Sequence, residues 1–300
     1  MYYLEDMIAT APGAPTAGTV PARGVLLHYT VHGRGAPVLL LAGGPGMSGD
    51  YMLPIAERLG GYQTIVLDQR GTGRSTMERL EPATMTLALA VDDVERLRAH
   101  LGLETWTVLG HSWGGVLAMA YAARHPERVT ALVLTGSGGP MTDYFGYLPA
   151  NVQSRLSTGE ERQMAYWSGH ERIAADPQQA GYEHFRAMAR SYVCLEKNVE
   201  LVLGAVAPEF FNHRTTTLMQ LDLVNTGYDL RPALAALRAP VLIVQGRQDI
   251  VGETTAYATR DAFSDAKLEW VERCGHFCWI ERPQQFFRSL RSFLERCVPG

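Results

Sequence analysis

Gly110-His111-Ser112-Trp113-Gly114-Gly115 sets a serine between two glycines, Gly110 and Gly114, each two residues away. Neither glycine carries a Cβ, so the backbone can bend sharply enough to lift the serine hydroxyl clear of its neighbours. That hydroxyl is a poor nucleophile at neutral pH unless a base, usually histidine, takes its proton and a carboxylate fixes the base's tautomer. Further along the chain, Gly246-Arg247-Gln248-Asp249 offers such a carboxylate and Cys274-Gly275-His276-Phe277 offers the histidine. The chemistry open to these three is acyl transfer: Ser112 attacks a carbonyl, His276 takes and returns the proton, and Asp249 orients His276. The oxyanion formed on the way needs backbone N–H groups. These are expected from Trp113, directly after the nucleophile, and from Gly44 in Ala42-Gly43-Gly44-Pro45-Gly46.

Each residue has a plainer reading beside the catalytic one. Ser112 could cap a helix in a glycine-rich loop, Asp249 could be a turn residue ahead of a helix over 253–263, and His276 could pack beside Phe277 and Trp279. With 30 glycines in 300 residues, the serine pattern alone carries little weight. The order Ser112, Asp249, His276, each at the end of a separate strand, tips the balance to catalysis. Asp143 and Asp222 are fallback acids.

Strands must hold these residues. Short apolar or β-branched runs at 25–31, 38–41, 64–67, 105–109, 131–134, 241–244 and 268–271 alternate with helical patterns, the rhythm of a doubly wound, mostly parallel α/β sheet. Leu87, Val91, Val94, Leu97 and Leu101 fall at helical spacing and predict an amphipathic crossover helix, as does 284–294 at the other end, started by Pro283. Such sheets bind ligands beyond the carboxyl ends of their strands, which is where the candidate residues lie. The strand rhythm breaks between about 140 and 231, where Gln, Glu, Arg, Tyr and Met dominate. The expected organisation is therefore a core in two parts, 1–139 and 231–300, around an inserted helical cap at 140–230. Residues 9–22, rich in Ala, Pro, Gly and Thr, read as a flexible lead-in.

Composition removes several function classes. The 27 Lys and Arg against 31 Asp and Glu give a net charge of -4, which offers no basic field for nucleic acid. Four cysteines without a regular framework suit a reducing compartment, and residues 1–24 show no basic stretch followed by an apolar one, so a cytoplasmic protein with no membrane partner is expected. Cys274 and Cys278 flank His276, but no second compact Cys or His pair completes a structural zinc site. Neither the loop at 42–46 nor the one at 68–75 has dinucleotide or P-loop spacing.

Three separated motifs resemble one known family. Gly43-Gly44-Pro45-Gly46-Met47-Ser48, Asp68-Gln69-Arg70-Gly71-Thr72-Gly73-Arg74-Ser75 and the Ser112 turn are similar to the oxyanion loop, the D-Q-R-G-x-G-x-S segment and the nucleophile elbow of the prolyl iminopeptidase group within the α/β-hydrolase fold. The resemblance implies removal of an N-terminal residue, often proline, from a short peptide, with no cofactor. It departs at Ala42, where many relatives have histidine, at His111, where the peptidases often have glycine, and at Ile250. A free substrate amine calls for carboxylates, and Glu196, Glu209 and Asp222 are the candidates in the cap. If instead Tyr144, Phe145, Phe210 and Phe211 line an apolar pocket, an esterase, lactonase or amidase acting on a small molecule gains. A non-catalytic binding protein of the same fold is the third reading. Arg70 and Arg74 are expected to tie loops together.

Overall fold

The computed structural model describes residues 14–206, 208 and 211–298. Among them nine strands form one sheet: β1 (Thr16–Ala22), β2 (Val25–Gly33), β3 (Ala36–Leu41), β4 (Tyr62–Asp68), β5 (Thr76–Met77), β6 (Trp106–His111), β7 (Val129–Thr135), β8 (Val241–Gly246) and β9 (Ala266–Val271). The order is β1-β2-β4-β3-β6-β7-β8-β9, with β5 added beside β2. From β4 to β9 every neighbouring pair is parallel. β2 is antiparallel to both β1 and β4. This is the α/β-hydrolase fold.

Residues that alternate along a strand face opposite sides, and here both sides are covered. Leu39, Leu41, Val108, Leu132 and Leu134 pack on one face against α2 (Leu87–His100) and α3 (Trp113–Arg124). Val38, Leu40, Leu109, Val133 and Val244 pack on the other against α1 (Leu53–Arg58) and the C-terminal helix Pro283–Cys297. The last helix buries Phe286, Leu290, Phe293 and Leu294, a stripe at i, i+4, i+7 and i+8.

The chain is not a flexible lead-in throughout residues 9–22. Thr16–Ala22 is strand β1, paired with β2 from Thr16 opposite Val31 to Ala22 opposite Val25. Only Val20 of its seven residues is buried, so this edge strand lacks the apolar alternation that marks a half-buried one. Residues 9–13 lie outside the described part of the chain.

Between β7 and β8 the longer elements of the described residues are all helices: α4 (Leu148–Gln153), α5 (Thr158–Trp167), α6 (His170–Ala175), α7 (Pro177–Tyr192), α8 (Val199–Ala205), α9 (His213–Thr226) and α10 (Arg231–Leu234). After β8 come α11 (Gly252–Asp261), α12 (Cys278–Glu281) and α13, the C-terminal helix. No helix among the described residues is long and apolar enough to cross a membrane.

Candidate active site

Ser112 stands where β6 turns into α3, with φ 55° and ψ -120°. A non-glycine residue held there stores on the order of 1–3 kcal/mol, which its surroundings must enforce. They do so by close approach. A Cβ on Gly110 would lie 2.2 Å from the Gly114 carbonyl oxygen, and one on Gly114 would lie 2.0 Å from that of Leu41. The two flanking glycines let α3 start against the ends of β3 and β6, and the tight turn follows from that contact.

Asp249 follows β8 and His276 follows β9, both buried. The His276 Nδ1–H donates to Asp249 Oδ1 at 2.9 Å, and the Val251 N–H donates to the same oxygen at 2.9 Å. Asp249 Oδ2 is buried and has no partner among the described residues. With Nδ1 engaged, His276 Nε2 is the nitrogen left for proton transfer. Ser112 and His276 line one cavity, although no hydrogen bond joins them. In unliganded hydrolases that contact often tightens only when substrate binds.

The cavity measures about 140 Å³. Gly44, Pro45 and Trp113 line it beside Ser112, so both expected oxyanion donors come from residues on its wall. The lining also includes Tyr144, Phe145, Leu148, Val152, Met188, Tyr192 and Leu223 from the segment between β7 and β8, with Ile250 and Val251 from the loop after β8. Gln220 adds an amide, and the lining contains no carboxylate among the described residues.

Several expected substrate contacts fall elsewhere. Glu196 is exposed on a short 3-10 turn, where a carboxylate keeps its hydration. Asp222 accepts the Leu87 N–H at 2.8 Å, satisfying an otherwise free donor at the start of α2. Phe211 packs against Phe185, 6.0 Å between ring centroids, and borders a separate groove with Gly71 and Asn212. Asp143 is exposed. Glu209 and Phe210 lie outside the described residues.

Other polar residues reach the site from distant parts of the chain. Trp113 Nε1 donates to Gln69 Oε1 at 2.7 Å, and Gln69 Nε2 donates to the Ala42 carbonyl at 2.7 Å, joining the Ser112 turn to the glycine loop at 42–46. His111 Nε2 faces the His276 carbonyl at 3.1 Å and so carries the proton; its Nδ1 accepts from the Tyr51 hydroxyl at 2.8 Å. Tyr51 in turn accepts the Gly43 N–H. Burial, reinforced by the nearby His276, holds the His111 pKa well below the ordinary histidine value. Arg70 grips Asp93 through two hydrogen bonds of 2.7 Å and also bonds the Thr84 carbonyl, a buried tie between loops. Cys274 and Cys278 are buried, unpaired thiols whose Sγ atoms approach the Gly275 carbonyl at 3.6 and 3.9 Å. No group of three metal-binding side chains occurs among the described residues.

A proline iminopeptidase of Lactobacillus helveticus is 26% identical over 297 residues, covering 93% of this chain and 97% of the relative. Among solved structures, proline iminopeptidase of Mycobacterium smegmatis aligns with a TM-score of 0.69 at 24% identity, covering 94% of this chain and 98% of that one. A thermophilic esterase from Thermogutta terrifontis aligns with a TM-score of 0.73 at 21% identity, covering 94% and 99%. Likeness at these identities speaks for the fold alone. A family model described as alpha/beta hydrolase fold matches residues 36–283, most of the chain, and the protein belongs to that family.

Proposed function

We propose that this protein is a serine hydrolase that forms an acyl-enzyme on Ser112 and takes a small apolar acyl group, with N-terminal prolyl amides of short peptides as its leading substrate class. The observation that carries the reading is the strained Ser112 and the Asp249-paired His276 meeting on one narrow cavity. Ser112 Oγ attacks the carbonyl while His276 Nε2 takes its proton. The oxyanion is held by the N–H groups of Gly44 and Trp113, each donor contributing about 3–4 kcal/mol to the transition state. His276, now protonated and stabilised by Asp249, delivers the proton to the leaving amine. Water then enters, His276 takes its proton, and Ser112 is released with the free acid.

The prolyl assignment draws on the relatives' names and on the three motifs shared with that group. One observation favours a second reading, an esterase, lactonase or amidase: no described cavity residue carries the carboxylate that a cationic amine would need. Turnover of a proline arylamide compared with that of a short-chain aryl ester separates them. Faster cleavage of the arylamide is expected; ester turnover with no arylamide cleavage would overturn the peptidase assignment and leave the serine mechanism in place.

A further inference from the structure

We propose that Glu281 and Arg155 are positioning residues of this site, pinning residues 191–194 against the loops that carry His276 and Asp249. The role rests on the serine-hydrolase reading above. Residues 191–194 run from the last turn of α7 into the following loop. At their centre the Tyr192 carbonyl accepts the His276 N–H at 2.7 Å, and the Tyr192 ring lies 5.2 Å from the His276 imidazole. The backbone of the base is thus bonded to the segment inserted between β7 and β8, away from the strand that delivers it.

Glu281 secures the base side. Its carboxylate is buried, and both oxygens are occupied: Oε1 accepts the Gly275 N–H at 2.6 Å, while Oε2 accepts the Cys194 N–H at 2.9 Å and the Asn198 amide at 3.0 Å. Gly275 adjoins His276, and Cys194 lies two residues from Tyr192. All three partners are donors, so a glutamine at 281 must turn its own NH2 toward at least one of them. That mismatch makes an isosteric substitution informative.

Arg155 secures the acid side. Nη1 donates to the Ser191 carbonyl at 3.3 Å and to the Gln248 carbonyl, and Nη2 donates to the Asp249 carbonyl at 3.3 Å. One guanidinium therefore joins the end of α7 to the loop that presents the catalytic acid. A planar fork suits carbonyls diverging from two elements, which a lysine could meet only in part.

Misplacement of a catalytic group by about 1 Å can cost on the order of 100-fold in rate. The test is the rate at which an alkyl fluorophosphonate labels Ser112, with kcat and KM on a neutral aryl ester, in Glu281→Gln, Arg155→Met and Arg155→Lys. Glu281→Gln and Arg155→Met are expected to slow labelling and kcat by about 10- to 100-fold with KM within about twofold. Arg155→Lys should recover much of that loss. Labelling at the unaltered rate in folded Glu281→Gln and Arg155→Met would overturn the positioning role, even if both melt at lower temperature. If Glu281→Gln does not fold, the Arg155→Met and Arg155→Lys pair decides alone. Failure of the unaltered chain to be labelled would overturn the serine-hydrolase reading itself, and the positioning role with it.

Discussion

One wall of the cavity, Ser112, Trp113 and Gly44, is held by closely packed backbone, with Gly44, Gly110 and Gly114 where two main-chain segments meet. A second wall, Phe145, Leu148, Val152, Met188 and Leu223, consists of apolar side chains from helices and turns of the insert. A side chain added to the first wall collides with main chain, which cannot yield. A side chain changed in the second meets other side chains, which can repack at modest cost. On the proposed reading, this contrast assigns acyl transfer to the strand ends and the choice of acyl group to the insert.

The largest expected effect removes chemistry from the first wall. Ser112→Ala should lower kcat by about 10⁴-fold or more while leaving the melting temperature within a few degrees, as steady-state kinetics and thermal unfolding would record. Next, Gly114→Ala places a Cβ 2.0 Å from the Leu41 carbonyl oxygen. A loss of about 3 kcal/mol or more in urea unfolding, together with activity, is expected because α3 must move away from β3. In the second wall, Leu148→Ala should leave fluorophosphonate labelling of Ser112 near the unaltered rate. It should also raise the preference for a hexanoyl over a butyryl ester by about 10-fold. A collapse of labelling in that variant would erase the contrast between the two walls.

The smallest effect concerns pH. Burial depresses the His111 pKa below its value of 6.5 in an unfolded chain, so below that pH the unfolded state binds a proton that the folded state refuses. Stability attributable to His111 is complete above about pH 6.5 and is lost as pH falls further. Urea midpoints at pH 7.5 and 5.5 should therefore differ less in His111→Asn than in the unaltered chain.

Much of the first wall was legible from residue order. Parallel strands buried on both faces read as continuous apolar runs, and the residues following those runs included Gly44, Ser112 and Asp249, while His276 follows the partly exposed edge strand β9. β1 escaped because an edge strand with one buried residue shows no period. The insert was legible as helical, but its roles were not. Glu196 and Asp222 looked alike as acidic residues on helical segments; one faces solvent and the other accepts a hydrogen bond from α2, 135 positions away. Tyr51, Gln69, Arg155 and Glu281 likewise act through partners far along the chain, and no local spacing marks such pairings. His111 was visible only as a departure from the family pattern, whereas its bonds to Tyr51 and His276 give it a place between the glycine loop and the base.

Mass spectrometry of the protein quenched during turnover of a short-chain aryl ester decides whether Ser112 carries the acyl group. An added acyl mass is expected on the peptide containing Ser112, formed in a burst and absent from Ser112→Ala. Turnover by Ser112→Ala at the unaltered rate, or a burst whose adduct maps to another residue, would contradict an acyl-enzyme on Ser112.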